Sequence, residues 1–85
     1  METRVAVISA IVEDRDAVEM LNAVLHEYGE YVIGRMGLPY RQKNIHIISV
    51  AVDAPQNVIA AMAGKLGRIE KVSVKTAYSG VIAHE

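Results

Sequence analysis

The sequence has no cysteine, no tryptophan and no phenylalanine, and only two prolines among its 85 residues. Without cysteine there is no disulfide, no thiolate nucleophile and no Cys-based metal site. Without Phe and Trp the core must be aliphatic, made of Val, Ile, Leu, Ala and Met with some Tyr. Neither acids nor bases are in clear excess. Nine Lys and Arg against ten Asp and Glu leave a net charge of −1, so the chain as a whole is no electrostatic trap for nucleic acid. The apolar run VAVISAIV is far too short to span a bilayer. METRVAVISAIVEDRD also lacks the charged start, long apolar middle and small-residue cleavage site of a secretion signal. These absences predict a soluble, cytoplasmic chain with no membrane association.

What is present is a hydrophobic fraction of 52%, high for a chain whose length allows one domain, residues 1–85. A chain this short buries a modest share of its surface and is only marginally stable alone. Oligomerisation is the remaining way to bury more apolar area. Charge is unevenly spread. Residues 1–30 hold seven acids and two bases, and residues 31–85 hold seven bases and three acids.

RVAVISAIV, residues 4–12, is apolar at odd and even positions, as a strand buried on both faces would be. Val18, Leu21, Leu25 and Tyr28 then recur at helical spacing and predict a helix over 15–28. Asp16 with Glu19 fits an acidic capping box, and Gly29 suits a positive-φ position past the helix end. A second strand is expected over 30–37 and a third over 44–53, the latter again apolar on both faces. Asp53-Ala-Pro-Gln56 reads as a capped helix start, with Val58, Ile59, Met62 and Leu66 as the inward stripe and Gly67 as the close. Residues 69–78 form a fourth strand, with Val72, Val74 and Thr76 on one side and Lys71, Ser73 and Lys75 on the other. The tail SGVIAHE is expected to fray or to add a short pairing segment.

The order βαββαβ, with right-handed crossovers, predicts an α+β ferredoxin-like fold with an antiparallel sheet in the order 4-1-3-2 and two helices on one face. That order requires strands 1 and 3 to be central, and they are the two strands apolar on both faces. Two helices cover only one face of such a sheet, and a bare apolar face is unusual on a monomer. A homo-oligomer, dimer or tetramer, is therefore expected, packed sheet on sheet or edge to edge.

GRMGLPYRQKN, residues 34–44, holds two glycines, a proline, a tyrosine and three cations, and no acid. Its GRMG resembles the GXXG loop of KH domains, but that loop needs a helix on each side, which Pro39 and the β-branched flanks forbid. A hairpin is the better frame. Gly34 marks a bulge or a close backbone approach, and Gly37, Pro39 and the run Arg41-Gln42-Lys43-Asn44 mark the turn. In a binding role, Gly34 and Gly37 clear room for a ligand while Arg35, Tyr40, Arg41 and Lys43 offer donors to an anion. In a shaping role, the glycines form a bulge and the cations keep an edge strand soluble. Residue chemistry alone favours the shaping role.

His26, His46 and His84 have no ligand-like spacing, so no metal site or cofactor is expected. Glu13-Asp14-Arg15-Asp16 is explained as a helix-start charge cluster. Ser9, Ser49, Ser73 and Ser79 have no paired His and Asp, so no enzymatic activity is expected. Met20, Met36 and Met62 read as core filler.

The run VIGRMGLPYRQKNIHIISVAVDAP, followed by LGRIEKVSVKTAYS, resembles the small proteins grouped as iron-only hydrogenase system regulators, over nearly the whole chain. The resemblance implies an ACT-like ferredoxin fold, similar to the C-terminal regulatory domain of the nickel-responsive repressor, and matches Gly34, Arg35, Gly37, Pro39 and Tyr40 to the family's signature hairpin. The repressor's His and Cys metal ligands have no counterpart here, so nickel sensing is not expected. The first strand starts almost at Met1, ahead of which the repressor's DNA-binding ribbon-helix-helix would lie, and direct DNA binding is not expected either. The resulting expectation is an oligomeric regulatory domain that binds a small anionic ligand at a subunit interface through Gly34, Arg35, Gly37, Tyr40, Arg41 and Lys43, and acts on a regulatory protein partner in a transcriptional or hydrogenase-related role. The competing classes are a pure interaction module without ligand and a weak nucleic-acid binder using the basic part of the chain, the latter marked by steep salt dependence.

Overall fold

Alternation of side chains along an extended strand sends residues 6, 8, 10 and 12 to one side of β1 (Arg4–Val12), where they meet the helices and are buried. The computed structural model describes residues 2–82. After β1 come α1 (Arg15–Glu27), β2 (Val32–Tyr40), β3 (Ile45–Ala54), α2 (Gln56–Gly67) and β4 (Val72–Ile82). The four strands form one antiparallel sheet in the order β2-β3-β1-β4. This is the expected 4-1-3-2 order, with β1 and β3 central.

The core lies between the helices and one face of the sheet. Ala6, Ile8, Ala10 and Val12 of β1 and Ile48, Val50, Val52 and Ala54 of β3 meet Ala17, Leu21 and Leu25 of α1 and Ile59, Met62 and Leu66 of α2. Ile69, in the turn ahead of β4, closes one end. Lys65 of α2 holds Glu27 of α1 at 2.8 Å. That hydrogen bond, with the Tyr28 hydroxyl as a second acceptor, raises the Lys65 pKa above its ordinary value.

Several boundaries differ from the sequence expectation. Asp14, not Asp16, caps α1, and its carboxylate accepts the Asp16 backbone N–H at 3.0 Å. Gly29 has no positive φ and instead opens a single 3₁₀ turn. Asp53 stays in β3, paired with Val5, so α2 starts from Pro55 with no side-chain cap. β2 runs on through Gly37 and Pro39, because an edge strand has outward positions that need no N–H donor. The turn is a 3₁₀ turn over Arg41–Lys43, closed by Asn44 in the left-handed region at φ 54°. Asparagine tolerates that conformation better than most residues. Residues 69–71 form a turn, and β4 starts at Val72.

The register shifts between Val32 and Gly34, the bulge expected at Gly34. Part of the tail joins the sheet, since Ile82 pairs with Arg4. His84 and the end of the tail lie outside the described residues. Arg4 anchors this corner by donating to the Ser79 carbonyl at 3.0 Å and to Gln56 Oε1 at 3.2 Å, and it lies 4.9 Å from the Tyr78 ring centre.

Candidate functional site: the open sheet face and the β2–β3 turn

Among the described residues no helix lies over the second face of the sheet. Val5, Val7 and Ile11 of β1 point there and are 42%, 37% and 44% exposed. Register places Ile47, Ser49 and Ala51 of β3 beside them, then Gly34, Met36, Leu38 and Tyr40 of β2. On the far side lie Ser73, Lys75 and Ala77 of β4. This face is apolar over three strands and polar mainly along β4. The methionines do not all fill the core: Met62 is buried, whereas Met20 on α1 is 59% and Met36 on β2 is 68% exposed. Met36 belongs to the open face.

β2 is exposed on both sides from Ile33 to Tyr40, because the helices pack over β1, β3 and β4. Arg35, opposite Val50, points to the helix side and donates to Asn22 Oδ1 of α1 at 2.8 Å. It borders two hollows. One, about 290 Å³, lies on the open face between Val7, Gly34, Met36, Ser49 and Ala51. The other, about 350 Å³, lies under the strand edge against Asn22, Leu25, His26, Gly29 and Val32. Neither Gly34 nor Gly37 has positive φ, and a Cβ built on either meets nothing within 4 Å. Among the described residues nothing demands glycine at these two places.

Tyr40 and Arg41 are at the other end of β2. They line a smaller hollow of about 150 Å³ with Arg15, Pro39, Asn44, Ile45 and His46. Lys43 is exposed in the same turn. Five residue steps of extended strand separate Arg35 from Tyr40, about 17 Å along β2. The structure thus groups Gly34 with Arg35 and Tyr40 with Arg41, with Gly37 between the two groups. Arg15 and Asn22 were not singled out as site residues from the sequence. Arg15 is accounted for there by the charge cluster at the start of α1, and the Asn22–Arg35 contact exists only once α1 folds against β2. Among the described residues no cluster of His, Asp and Glu is arranged to hold a metal. Among the same residues no helix is long and apolar enough to cross a membrane.

A family model described as "TM1266-like: Iron-only hydrogenase system regulator, putative" matches residues 4–76. The solved structure of the uncharacterized protein TM1266 from Thermotoga maritima is similar to this chain, with a TM-score of 0.88 and 37% identity, covering 91% of this chain and 98% of that one. A formyltetrahydrofolate deformylase from Pseudomonas putida KT2440 is similar with a TM-score of 0.62 at 16% identity, over 86% of this chain and 28% of that one. At that identity the likeness is one of fold alone. No curated protein matches the chain.

Proposed function

The chain belongs to the TM1266-like family, and from that premise we propose that it is a small oligomeric regulatory protein that binds a small ligand where subunits meet and passes its state to a partner protein. The partner belongs to a transcriptional or hydrogenase-related system, in keeping with the family description. The observation that carries this reading is the open sheet face. Apolar residues of β1, β2 and β3 stand in water on this side, and an apolar face of that kind is unusual on a monomer. The exposed residues Val5, Val7, Ile11, Ile47, Met36 and Leu38 are of the kind found at the centre of a homodimer interface.

Gly34 and Gly37 support the same reading, since both keep β2 low where nothing in the chain fills the space. A second copy seated there approaches the backbone closely. The turn residues Tyr40, Arg41 and Lys43 and the strand residue Arg35 then stand at the margin of the junction, available to an anionic ligand. A ligand bound between subunits favours one subunit packing over another by its difference in affinity for the two. That difference is the signal passed to the partner.

Native mass spectrometry of the protein purified gently from its own host tests this. The expected result is a dimer or tetramer carrying a reproducible extra mass. An oligomer with nothing bound would favour the pure interaction module, and a monomer would overturn the assembly itself.

A further inference from the structure

Three parts of the chain converge at the β2–β3 end of the sheet. β1 ends at Val12, paired with His46, and leads to Arg15 at the first position of α1. β2 ends at Pro39 and Tyr40, of which Pro39 is also paired with His46. The turn supplies Arg41 and Asn44, whose backbones are tied by the Asn44 N–H to the Arg41 carbonyl at 3.2 Å. The hollow of about 150 Å³ between them is lined by Arg15, Tyr40, Arg41, Asn44 and His46 together with Pro39 and Ile45, and by no acidic residue.

The cations here differ from others in the chain. Arg4 bonds Gln56 and the Ser79 carbonyl, Arg35 bonds Asn22, and Lys65 pairs with Glu27. The side chains of Arg15, Tyr40, Arg41 and His46 make no hydrogen bond or ion pair with any described residue. Asp14 and Asp16 flank Arg15 along the chain, but Asp14 caps α1 and neither carboxylate pairs with Arg15 or lines the hollow. Lys43, Arg68, Lys71 and Lys75 also have no partner among the described residues; what sets Arg15 and Arg41 apart is that they line one hollow.

We propose that the hollow between Arg15 and Arg41 is a binding site for a small oxyanion, a phosphate or carboxylate group, held by the two guanidinium forks with Tyr40, Asn44 and His46 as further donors. Planar guanidinium groups suit such anions because each offers paired N–H donors. The proposal rests on the ligand-sensing part of the reading above, and it brings in Arg15 and His46, which come from elements outside the β2 strand and its turn.

The test is a titration of the ¹⁵N-labelled full chain with inorganic phosphate, and separately with succinate, at constant ionic strength held with chloride. The expected result is a saturable set of amide shifts confined to residues 15, 40, 41, 44 and 46. The anion that saturates at lower concentration tells a phosphoryl group from a carboxylate. Arg15→Gln and Arg41→Gln should each weaken binding about tenfold, the loss of one charge-assisted hydrogen bond, while Arg68→Gln leaves it unchanged. Unsaturating shifts spread over all cations, or binding indifferent to both variants, would overturn the site. Native mass spectra in the same buffers separate this site from the assembly. An oligomer that ignores both anions would sink the site alone, and a monomer that binds one of them would uphold the site and sink the assembly.

Discussion

The two sides of β1 carry nearly the same chemistry and have opposite surroundings. Ala6, Ile8, Ala10 and Val12 are at most 3% exposed, whereas Val5, Val7 and Ile11 are 37–44% exposed. The first set is covered by α1 and α2, and the second by no described element of the chain. Hydrophobicity therefore tells that a face is meant to leave water, and not whether the chain or another molecule covers it. The count of covering elements supplies that information: two helices roof one side of a four-stranded sheet, and a second apolar side is left over.

Substitutions on the two sides should separate them most sharply. Ile59 on α2 is fully buried, and Ile59→Ala should destabilise the fold by about 2–5 kcal/mol in chemical denaturation. Ile11→Ala should lower the stability of the dilute, separated subunit by about 1 kcal/mol or less. Equal losses at the two positions would erase the distinction.

Leu38→Glu tests the open side from the other direction. A charge placed there meets water in a lone subunit and a dry contact in the proposed assembly, where an unpaired charge is costly. The expected result is a smaller species by size-exclusion chromatography with light scattering, with an unchanged far-UV circular dichroism spectrum. An unaltered oligomer would mean that this face is not the interface.

The helix side also depends on end effects. Asp14→Ala removes the carboxylate that caps α1 and should cost about 1 kcal/mol in thermal or chemical unfolding. Asp16→Ala should cost less, because Asp16 lends its backbone N–H rather than its side chain.

The smallest effect is expected where the two helices touch at the surface. Lys65 has a raised pKa, chiefly from its bond to Glu27. A raised folded value means that the pair's contribution is fully present below the ordinary lysine value of 10.5 and fades as pH rises through the folded value above it. Glu27→Gln should return the Lys65 titration, followed by NMR at Nζ, toward 10.5. A titration that does not move would assign the shift to Tyr28 instead.

Much of this fold is legible in the sequence, because strands 1 and 3 announce their central places by being apolar on both faces. The helix stripes are legible for the same reason, since Leu21, Leu25, Ile59, Met62 and Leu66 recur at helical spacing and are buried. The element ends are less so. Asp16, with Glu19 three residues on, looks like the cap on paper, whereas Asp14 caps the helix, which starts at Arg15. Asp53 looks like a cap until its pairing with Val5 holds it in the sheet. Gly37 and Pro39 read as turn residues, and only β2's place at the edge lets the strand run through them. The candidate residues on β2 and its turn stand out by their lack of acids. Arg15 does not, because it comes to the hollow that Arg41 also lines only through the tertiary fold.

The central claim is that a second copy of the chain covers the open sheet face. Sedimentation equilibrium of the unmodified protein over a wide concentration range tests it most directly. The account predicts a species of two or four 9.3 kDa chains that dissociates only on dilution, and a 9.3 kDa particle at every concentration would contradict it.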